Sequence, residues 1–291
     1  MNTQVTSNSS NTASSSTRKV WFITGASRGL GVSIAKAALA AGDAVVATGR
    51  DAQSVERALD GSNENLLALT LDVTDEVQAQ SVVQQAVEHF GRIDVLVNNA
   101  GYGLLGAVEE CSAAEVEAQF RTNVFGLLAV TRAALPALRK QRSGHILNIS
   151  SIGGFVGFEQ ASIYCASKFA VEGISESLAL EVEPFGIRVT IVGPGYFRTD
   201  FLTSSSLNWA ANKLDAYDKG LREQFNNHSG QQAGDPDKLA QVLLAVVASE
   251  NPPLHLPVGP DAVEGVEKKL EQVRADINEW RDLACSTNID S

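Results

Sequence analysis

Tyr164 and Lys168, in the stretch YCASK, stand four residues apart. On a helix, residues i and i+4 share a face with Cβ atoms about 5–6 Å apart. A phenol ordinarily ionises near pH 10, so at neutral pH it is an adequate acid and a poor base. A cation one helical turn away favours the phenolate and draws the pKa towards the operating pH, where the group serves both directions of a reaction. The pair therefore reads as an acid whose proton is made easier to move; the plain alternative is a ring and an ammonium packed idly on a surface. A second stretch, TGASRGLG (24–31), carries Gly25, Gly29 and Gly31. Glycine reaches backbone angles that other residues resist and lets a ligand approach the chain closely. A helix starting there offers unpaired N–H groups and a positive dipole end to a pyrophosphate. The spacing is TGxxxGxG rather than GxGxxG, and a tight turn that binds nothing is the competing reading.

Such groups act only if regular elements hold them. VWFIT (20–24), AVVAT (44–48), NLLALTLDV (65–73), IDVLVNNAG (93–101), GHILNISS (144–151), IRVTIVGPG (187–195) and LHLPV (254–258) read as strands. Between them lie helical patterns over 28–42, 51–60, 75–91, about 112–141 with Pro136 kinking its last turns, about 162–185 and 235–250. Asp51, Asp75 and Asp235 fit as N-terminal starts, with Gly42 and Gly91 as stops. Strands alternating with helices at this rhythm imply right-handed βαβ units, hence a parallel sheet of about seven strands with helices on both faces. The strands are continuous apolar runs, as strands buried on both faces should be. The rhythm loosens over 196–233, where large apolar residues mix with Ser, Asn and Gly, and the expectation is a substrate lid of short mobile helices. A polar helix over 262–284 makes a C-terminal extension (259–291) beyond a single domain over 18–258.

The chain has 291 residues, of which 44% are hydrophobic and 20% charged, the balance of a soluble globule. A formal net charge of −11 argues against a general nucleic-acid or anionic-membrane binder. No apolar run reaches the roughly 18 residues of a membrane span. Residues 1–17 are Ser/Thr/Asn-rich without a hydrophobic core segment, which reads as a disordered tail and not a secretory signal. Cys111, Cys165 and Cys285 are odd in number and lack CxxC spacing, so reduced thiols and a cytoplasmic location are expected. The four histidines are scattered and no metal site is expected.

Taken in order, TGxxxGxG, NNAG (98–101), Ser151, YCASK and PGYFRT (194–199) resemble the short-chain dehydrogenase/reductase family, over about residues 19–200. The stretches ATGR, LDVTD and NNAGYG resemble bacterial members related to 17β-hydroxysteroid dehydrogenase. The resemblance implies a Rossmann-type doubly wound fold and hydride transfer between nicotinamide and a carbonyl or secondary alcohol. It implies Tyr164 as general acid/base, Lys168 on the nicotinamide ribose, Ser151 on the substrate oxygen and Asn123 holding a water in the proton path. A buried amide paired to backbone is the plainer reading of Asn123, and both can hold. Gly25, Ser27, Arg28, Gly29, Leu30 and Gly31 would cradle the cofactor. Asp72 and Val73 would meet its adenine, and Asn99, Ala100 and Gly101 would run along it, with Asn98 holding strands together. Pro194, Gly195 and Thr199 would close over its carboxamide, beside Tyr164 and Lys168.

A carboxylate at the end of the second strand would bind ribose hydroxyls and repel a 2′-phosphate. Gly49 stands there instead, with Arg50 beside it and Arg28 in the glycine turn. Two guanidiniums suit a phosphate, so NADP(H) is expected over NAD(H); the counter-reading pairs Arg50 with Asp51. Tyr102, Phe155, Phe158, Tyr196, Phe197, Phe201, Leu202, Leu207 and Trp209 are candidates for an apolar pocket, or for packing under a long loop. The substrate expected is a small apolar carbonyl or alcohol. The resemblance also implies a homodimer or homotetramer formed through the long helices. Two other readings stand beside the enzyme. One is a catalytically silent NADP(H)-sensing or regulatory protein on the same fold, which has no need of Asn123, Ser151, Tyr164 and Lys168 together. The other is an epimerase or dehydratase, for which no extra acid or base is evident.

Overall fold

Seven short apolar segments pair in parallel; the five inner ones are almost wholly buried and offer little polar side to water, while the two at the edges are partly exposed. The seven are β1 (Val20–Ile23), β2 (Ala44–Gly49), β3 (Leu66–Thr70), β4 (Val95–Asn98), β6 (Gly144–Ile149), β7 (Ile187–Pro194) and β9 (His255–Val258), in the order β3-β2-β1-β4-β6-β7-β9. The computed structural model describes residues 18–61, 63–203, 206–220, 222–223 and 230–289. The tail at 1–17 lies outside them, as does the Leu202 side chain. Successive side chains point to opposite faces. Val20 and Phe22 enter a core closed by α3 (Glu76–Phe90), α5 (Leu127–Gln141) and α6 (Ser162–Val182). Trp21 and Ile23 enter another, closed by α1 (Gly29–Ala40), α2 (Ala52–Ala58) and α7 (Pro236–Ala248). β1 pairs with β2 on one side and β4 on the other, so the winding reverses there and a crevice opens beyond the strand ends.

The helix starts follow the sequence. Asp51 accepts from the N–H groups of Gln53 and Ser54, Asp75 from that of Gln78, and Asp235 from those of Asp237 and Lys238. Each satisfies donors that the first helical turn leaves unpaired.

Two expectations need correction. The helix expected over 112–141 is α4 (Ala113–Phe120), a π-helical segment (Arg121–Gly126) and α5, which carries Pro136 and continues to Gln141. The irregularity lies at 121–126 because tertiary contacts pin the backbone there. The Asn123 side chain binds both backbone groups of Tyr102, and a Cβ on Gly126 would stand 2.6 Å from Val73 Cγ2. The expectation for 196–233 lacks a strand. Among the described residues the helical turns of this segment include short 3-10 segments at Asp200–Leu202 and Asp215–Tyr217, and β8 (Leu207–Trp209) pairs in parallel with β5 (Gly103–Leu105). Gly103 makes room for this, since a Cβ there would meet Leu207 Cδ1 at 2.8 Å. Two carboxylates tie the segment down: Glu110 accepts from Leu214 N at 2.9 Å and Glu115 from Ala211 N at 2.9 Å. The C-terminal helix is α8 (Pro260–Cys285).

Candidate active site

The crevice at the winding reversal holds a cavity of about 890 Å³ that runs from the glycine turn to the aromatic residues after β7. Its floor at one end is the turn between β1 and α1. Gly25 and Gly29 have φ of +67° and +57°, which glycine adopts without strain. Gly25 passes so close to β4 that a Cβ would stand 2.9 Å from Ala100 Cα, and a Cβ on Gly31 would stand 2.4 Å from the Gly25 carbonyl oxygen. Gly31 thus packs the turn from behind, while Gly25, Ser27, Arg28, Gly29 and Leu30 line the cavity. Asn99 fastens the turn: its Nδ2 donates to the carbonyls of Thr24 and Gly25 at 2.9 and 3.0 Å. The Thr24 hydroxyl accepts from Asn99 N and Ala100 N. A side chain at Gly25 or Gly31 would push the turn out of this shape, which leads into the N-terminus of α1 and fits a pyrophosphate.

Arg28 and Arg50 meet at the rim of the same end. Partial burial lowers the Arg28 guanidinium below its ordinary range, repulsion from Arg50 adds to this, and attraction from Asp200 opposes it. Asp51 does not neutralise Arg50. Its carboxylate is committed to the start of α2 and lies 3.6 Å from Arg57. Gly49 excludes an acid at the end of β2, where a Cβ would stand 2.9 Å from Val55 and 3.5 Å from Ser27. Asp72 lines the cavity beside Val73, its Oδ1 accepting from Thr74.

At the other end α6 presents Tyr164 and Lys168 on one face, as their spacing requires. Lys168 Nζ lies 5.9 Å from the centre of the Tyr164 ring and donates to the Ile149 carbonyl at 2.8 Å. Ser151 follows β6; its Oγ accepts from Gly153 N at 3.0 Å, and both it and Tyr164 Cε1 approach the small Gly153. Burial pushes the Tyr164 phenol up to about 12, with hydrogen bonding to Ser151 pulling the other way. Burial also brings the Lys168 ammonium down to about 8, opposed by Glu172. In the cofactor-free chain desolvation of the phenol outweighs the lysine, whose head is turned to a backbone carbonyl.

Asn123 does not line the cavity. Its Oδ1 accepts from Tyr102 N at 3.1 Å, and its Nδ2 donates to Tyr102 O at 3.0 Å and Ser167 Oγ at 3.1 Å. The paired-amide reading describes the side chain. It still stands near the lysine: a Cβ on Gly101 would be 3.1 Å from Asn123 Oδ1 and 3.8 Å from Lys168 Nζ. Asn98 is buried and joins β4 to its neighbours through Thr131 and Asn148. Gly101, Pro194, Gly195 and Thr199 line the cavity, with Thr199 facing Gly29 across it.

Of the apolar candidates, Tyr102, Phe158, Tyr196, Phe197, Phe201 and Leu207 line the cavity. Phe155 and Trp209 do not. Phe155 lies edge-on to His255, 5.5 Å between ring centres, and packs under α8. Trp209 packs behind Leu207 and carries Arg222 over its ring at 4.8 Å. Two residues give no local signal in the sequence. Asp261 accepts from Tyr196 N at 2.7 Å and abuts Gly195, so the start of α8 holds the loop after β7. Glu172, one turn beyond Lys168, is buried with the Ser150 hydroxyl beside it and His255 Nδ1 3.4 Å away. Burial raises its carboxyl above the ordinary range. A helical spacing of four from Lys168 was available to suggest it. Among the described residues no cluster of three or more His, Cys, Asp or Glu is placed to hold a metal.

The family model for short chain dehydrogenases matches residues 19–209. The chain belongs to the short-chain dehydrogenases. It is 42% identical over 271 residues to the oxidoreductase BOA17 of Botryotinia fuckeliana, covering 92% of this chain and 99% of that one. It is 40% identical over 247 residues to a 3-ketodihydrosphingosine reductase of Bacteroides thetaiotaomicron, covering 83% and 88%. The crystal structure of a short-chain dehydrogenase from Streptomyces avermitilis superposes with a TM-score of 0.86 at 40% identity, covering 93% and 100%. That of ElxO with NADP bound gives 0.70 at 28%, covering 85% and 99%. This short-chain dehydrogenase is an oxidoreductase that acts on CH–OH or C=O groups with a nicotinamide cofactor. No described helix is long and apolar enough to cross a membrane.

Proposed function

We propose that the chain is an NADP(H)-dependent reductase or dehydrogenase of apolar carbonyls and secondary alcohols, with Tyr164 as its general acid and base. The observation that carries this reading is the cavity itself, lined at one end by the glycine turn and two arginines, in the middle by Ser151, Tyr164 and Lys168, and beyond by aromatic side chains. When bound, the nicotinamide supplies or accepts the hydride. The chain supplies everything else. The Gly25–Gly31 turn and the N-terminus of α1 would receive the pyrophosphate. Asp72 and Val73 would lie along the adenine, and Thr199, Pro194 and Gly195 would enclose the carboxamide. Ser151 would donate to the substrate oxygen and stabilise the charge that develops there. Tyr164 would deliver its proton to that oxygen in reduction and remove it in oxidation. Lys168 would favour the phenolate as it forms.

NADP(H) is preferred to NAD(H) on three grounds: Arg28 and Arg50 converge, Asp51 is engaged elsewhere, and no acid fits at Gly49. An apolar substrate follows from Tyr102, Phe158, Tyr196, Phe197, Phe201 and Leu207 on the cavity wall. The relative that reduces 3-ketodihydrosphingosine, by its name, points the same way. Three free thiols suit a cytoplasmic setting. Phe125, Phe169 and Leu180, exposed on the long helices, suit a homodimer or homotetramer formed there. The silent-sensor reading has no observation in its favour, since a pure binder needs no Ser151, Tyr164 and Lys168 around one cavity.

The test is Tyr164→Phe. Turnover of an aromatic or long-chain ketone, followed by nicotinamide absorbance, should fall by roughly 10²–10⁴-fold. NADPH binding, followed by fluorescence, should stay near that of the parent. A variant that keeps its turnover would remove Tyr164 from the chemistry.

A further inference from the structure

The C-terminal helix leaves the body of the protein after its second turn. Ala262 and Val266 are buried with Ile152, beside Phe155 and Val156, but from Leu270 to Cys285 every residue is exposed. A helix standing in water is marginal by itself, and one meant to be solvated is polar all round. α8 is not. Val263, Val266, Leu270, Val273, Ile277 and Trp280 recur at alternating intervals of three and four, the apolar seam of a coiled coil; Val266 is covered by the body of the protein and the other five are exposed. Leu270, Ile277 and Trp280 are 60%, 53% and 59% exposed.

The charges beside the seam choose an occupant. With Val263, Leu270 and Ile277 at position a and Val266, Val273 and Trp280 at d, Lys269 and Asp276 fall at g, and Glu267, Arg274 and Arg281 at e. In an antiparallel pair g faces g and e faces e. The register that sets Leu270 against Val273 of a second copy brings Lys269 opposite Asp276 and Glu267 opposite Arg274, while Arg281 faces the uncharged Pro260. The two-fold axis repeats both contacts, so every charged pair is attractive. Sliding that pair by one heptad sets Asp276 against Asp276 and Arg274 against Arg274. In a parallel pair g meets the e position of the next heptad, which sets Lys269 against Arg274 and Asp276 against Arg281, so half of the charged pairs repel. Charges at e and g decide partner and orientation in this way.

We propose that α8 pairs antiparallel with α8 of a second copy of this chain, in the register that sets Leu270 against Val273. Trp280 of each copy then lies over Val263 of the other, which is 40% exposed. This surface is separate from the long helices α4 to α6, and it does not depend on the reaction proposed above.

Sedimentation equilibrium on the full chain tests it at several concentrations. Ile277→Glu should halve the mass of the assembly while NADPH binding is unchanged. Lys269→Asp, which leaves the seam intact, should weaken association roughly tenfold, and Lys269→Asp with Asp276→Lys should restore it. Two results overturn the proposal. An unchanged mass for Ile277→Glu means that the seam does not pair with itself. Tighter association of Lys269→Asp means that the helices run parallel.

Discussion

Replacing Lys168 by Met should make the protein more stable near neutral pH while abolishing its chemistry. The side chains are of similar length, and Lys168 is only 7% exposed. Burial lowers its ammonium from 10.5 to about 8, against the favourable field of Glu172. The sign follows from proton counting. Between about pH 8 and 10.5 the unfolded chain holds a proton that the folded chain has released, so stability rises with pH across that window. Below about 8 the folded protein carries the whole penalty, about 3 kcal/mol for that gap. Met removes the penalty but also removes the 2.8 Å hydrogen bond to the Ile149 carbonyl. Stranding that acceptor costs about 1–2 kcal/mol. The variant should therefore be more stable by about 1–2 kcal/mol near pH 7 and slightly less stable than the parent near pH 10, where the penalty has mostly gone.

The change in the difference between the two pH values, about 2–3 kcal/mol, is the sharper quantity. Titrations of groups that do not interact with Lys168 act equally on both proteins and cancel, and the raised pKa of Tyr164 lowers stability only above about pH 10. The assay is urea unfolding of cofactor-free protein at equal protein concentration, since cofactor and self-association both shift apparent stability. A variant less stable than the parent near pH 7, by a margin that stays constant to pH 10, would refute the reasoning. The ammonium would then be well solvated or fully paired in the fold.

Two further predictions rest on charge placement. Arg50→Asp places a carboxylate beside Gly49 and leaves Arg28 as the remaining guanidinium of the pair. The ratio of kcat/KM for NADPH over NADH should drop by at least roughly tenfold, the worth of one such contact; an unchanged ratio would make Arg50 a surface charge. Glu172→Gln removes the carboxylate that favours the Lys168 ammonium. The Lys168 proton should then be lost at lower pH, and the alkaline limb of the kcat/KM profile should move to more acid values. A limb that stays in place would mean that Glu172 has no electrical connection to the site.

The sequence was most informative where function or burial leaves few choices of residue. Strands buried on both faces must be continuous apolar runs, and the five inner strands of the large sheet were legible for that reason. Gly25 and Gly31 were legible because the backbone passes too close there for any Cβ, and Asp51, Asp75 and Asp235 because a helix start needs an acceptor. Contacts made at a distance were not legible. β5 and β8 are three residues each, too short to alternate, and they are held by carboxylates on another segment. The π-helical turn around Asn123 has no propensity signal, because it is imposed by Tyr102 and Val73. Phe155 resembles its aromatic neighbours in type, and only the position of α8 turns it away from the cavity. The spacing of Tyr164 and Lys168 announces a cation near a phenol, but it says nothing of how deeply either is buried.

That last gap changes how the site works. Free in water, a phenol and a primary ammonium ionise at nearly the same pH. In the fold one cause, the removal of water, drives them apart: the phenol to about 12 and the ammonium to about 8. Each moves towards its uncharged form, because burial disfavours charge of either sign. Burial thus favours a protonated Tyr164 beside a lysine that releases its proton more readily, which suits the acid role proposed for Tyr164 in reduction. An alkaline limb near pH 8 would accordingly belong to Lys168 and not to Tyr164. It follows that Glu172, which touches the lysine's titration, should move that limb, while a change confined to the phenol's surroundings, such as Phe201→Leu against its ring, should leave it in place.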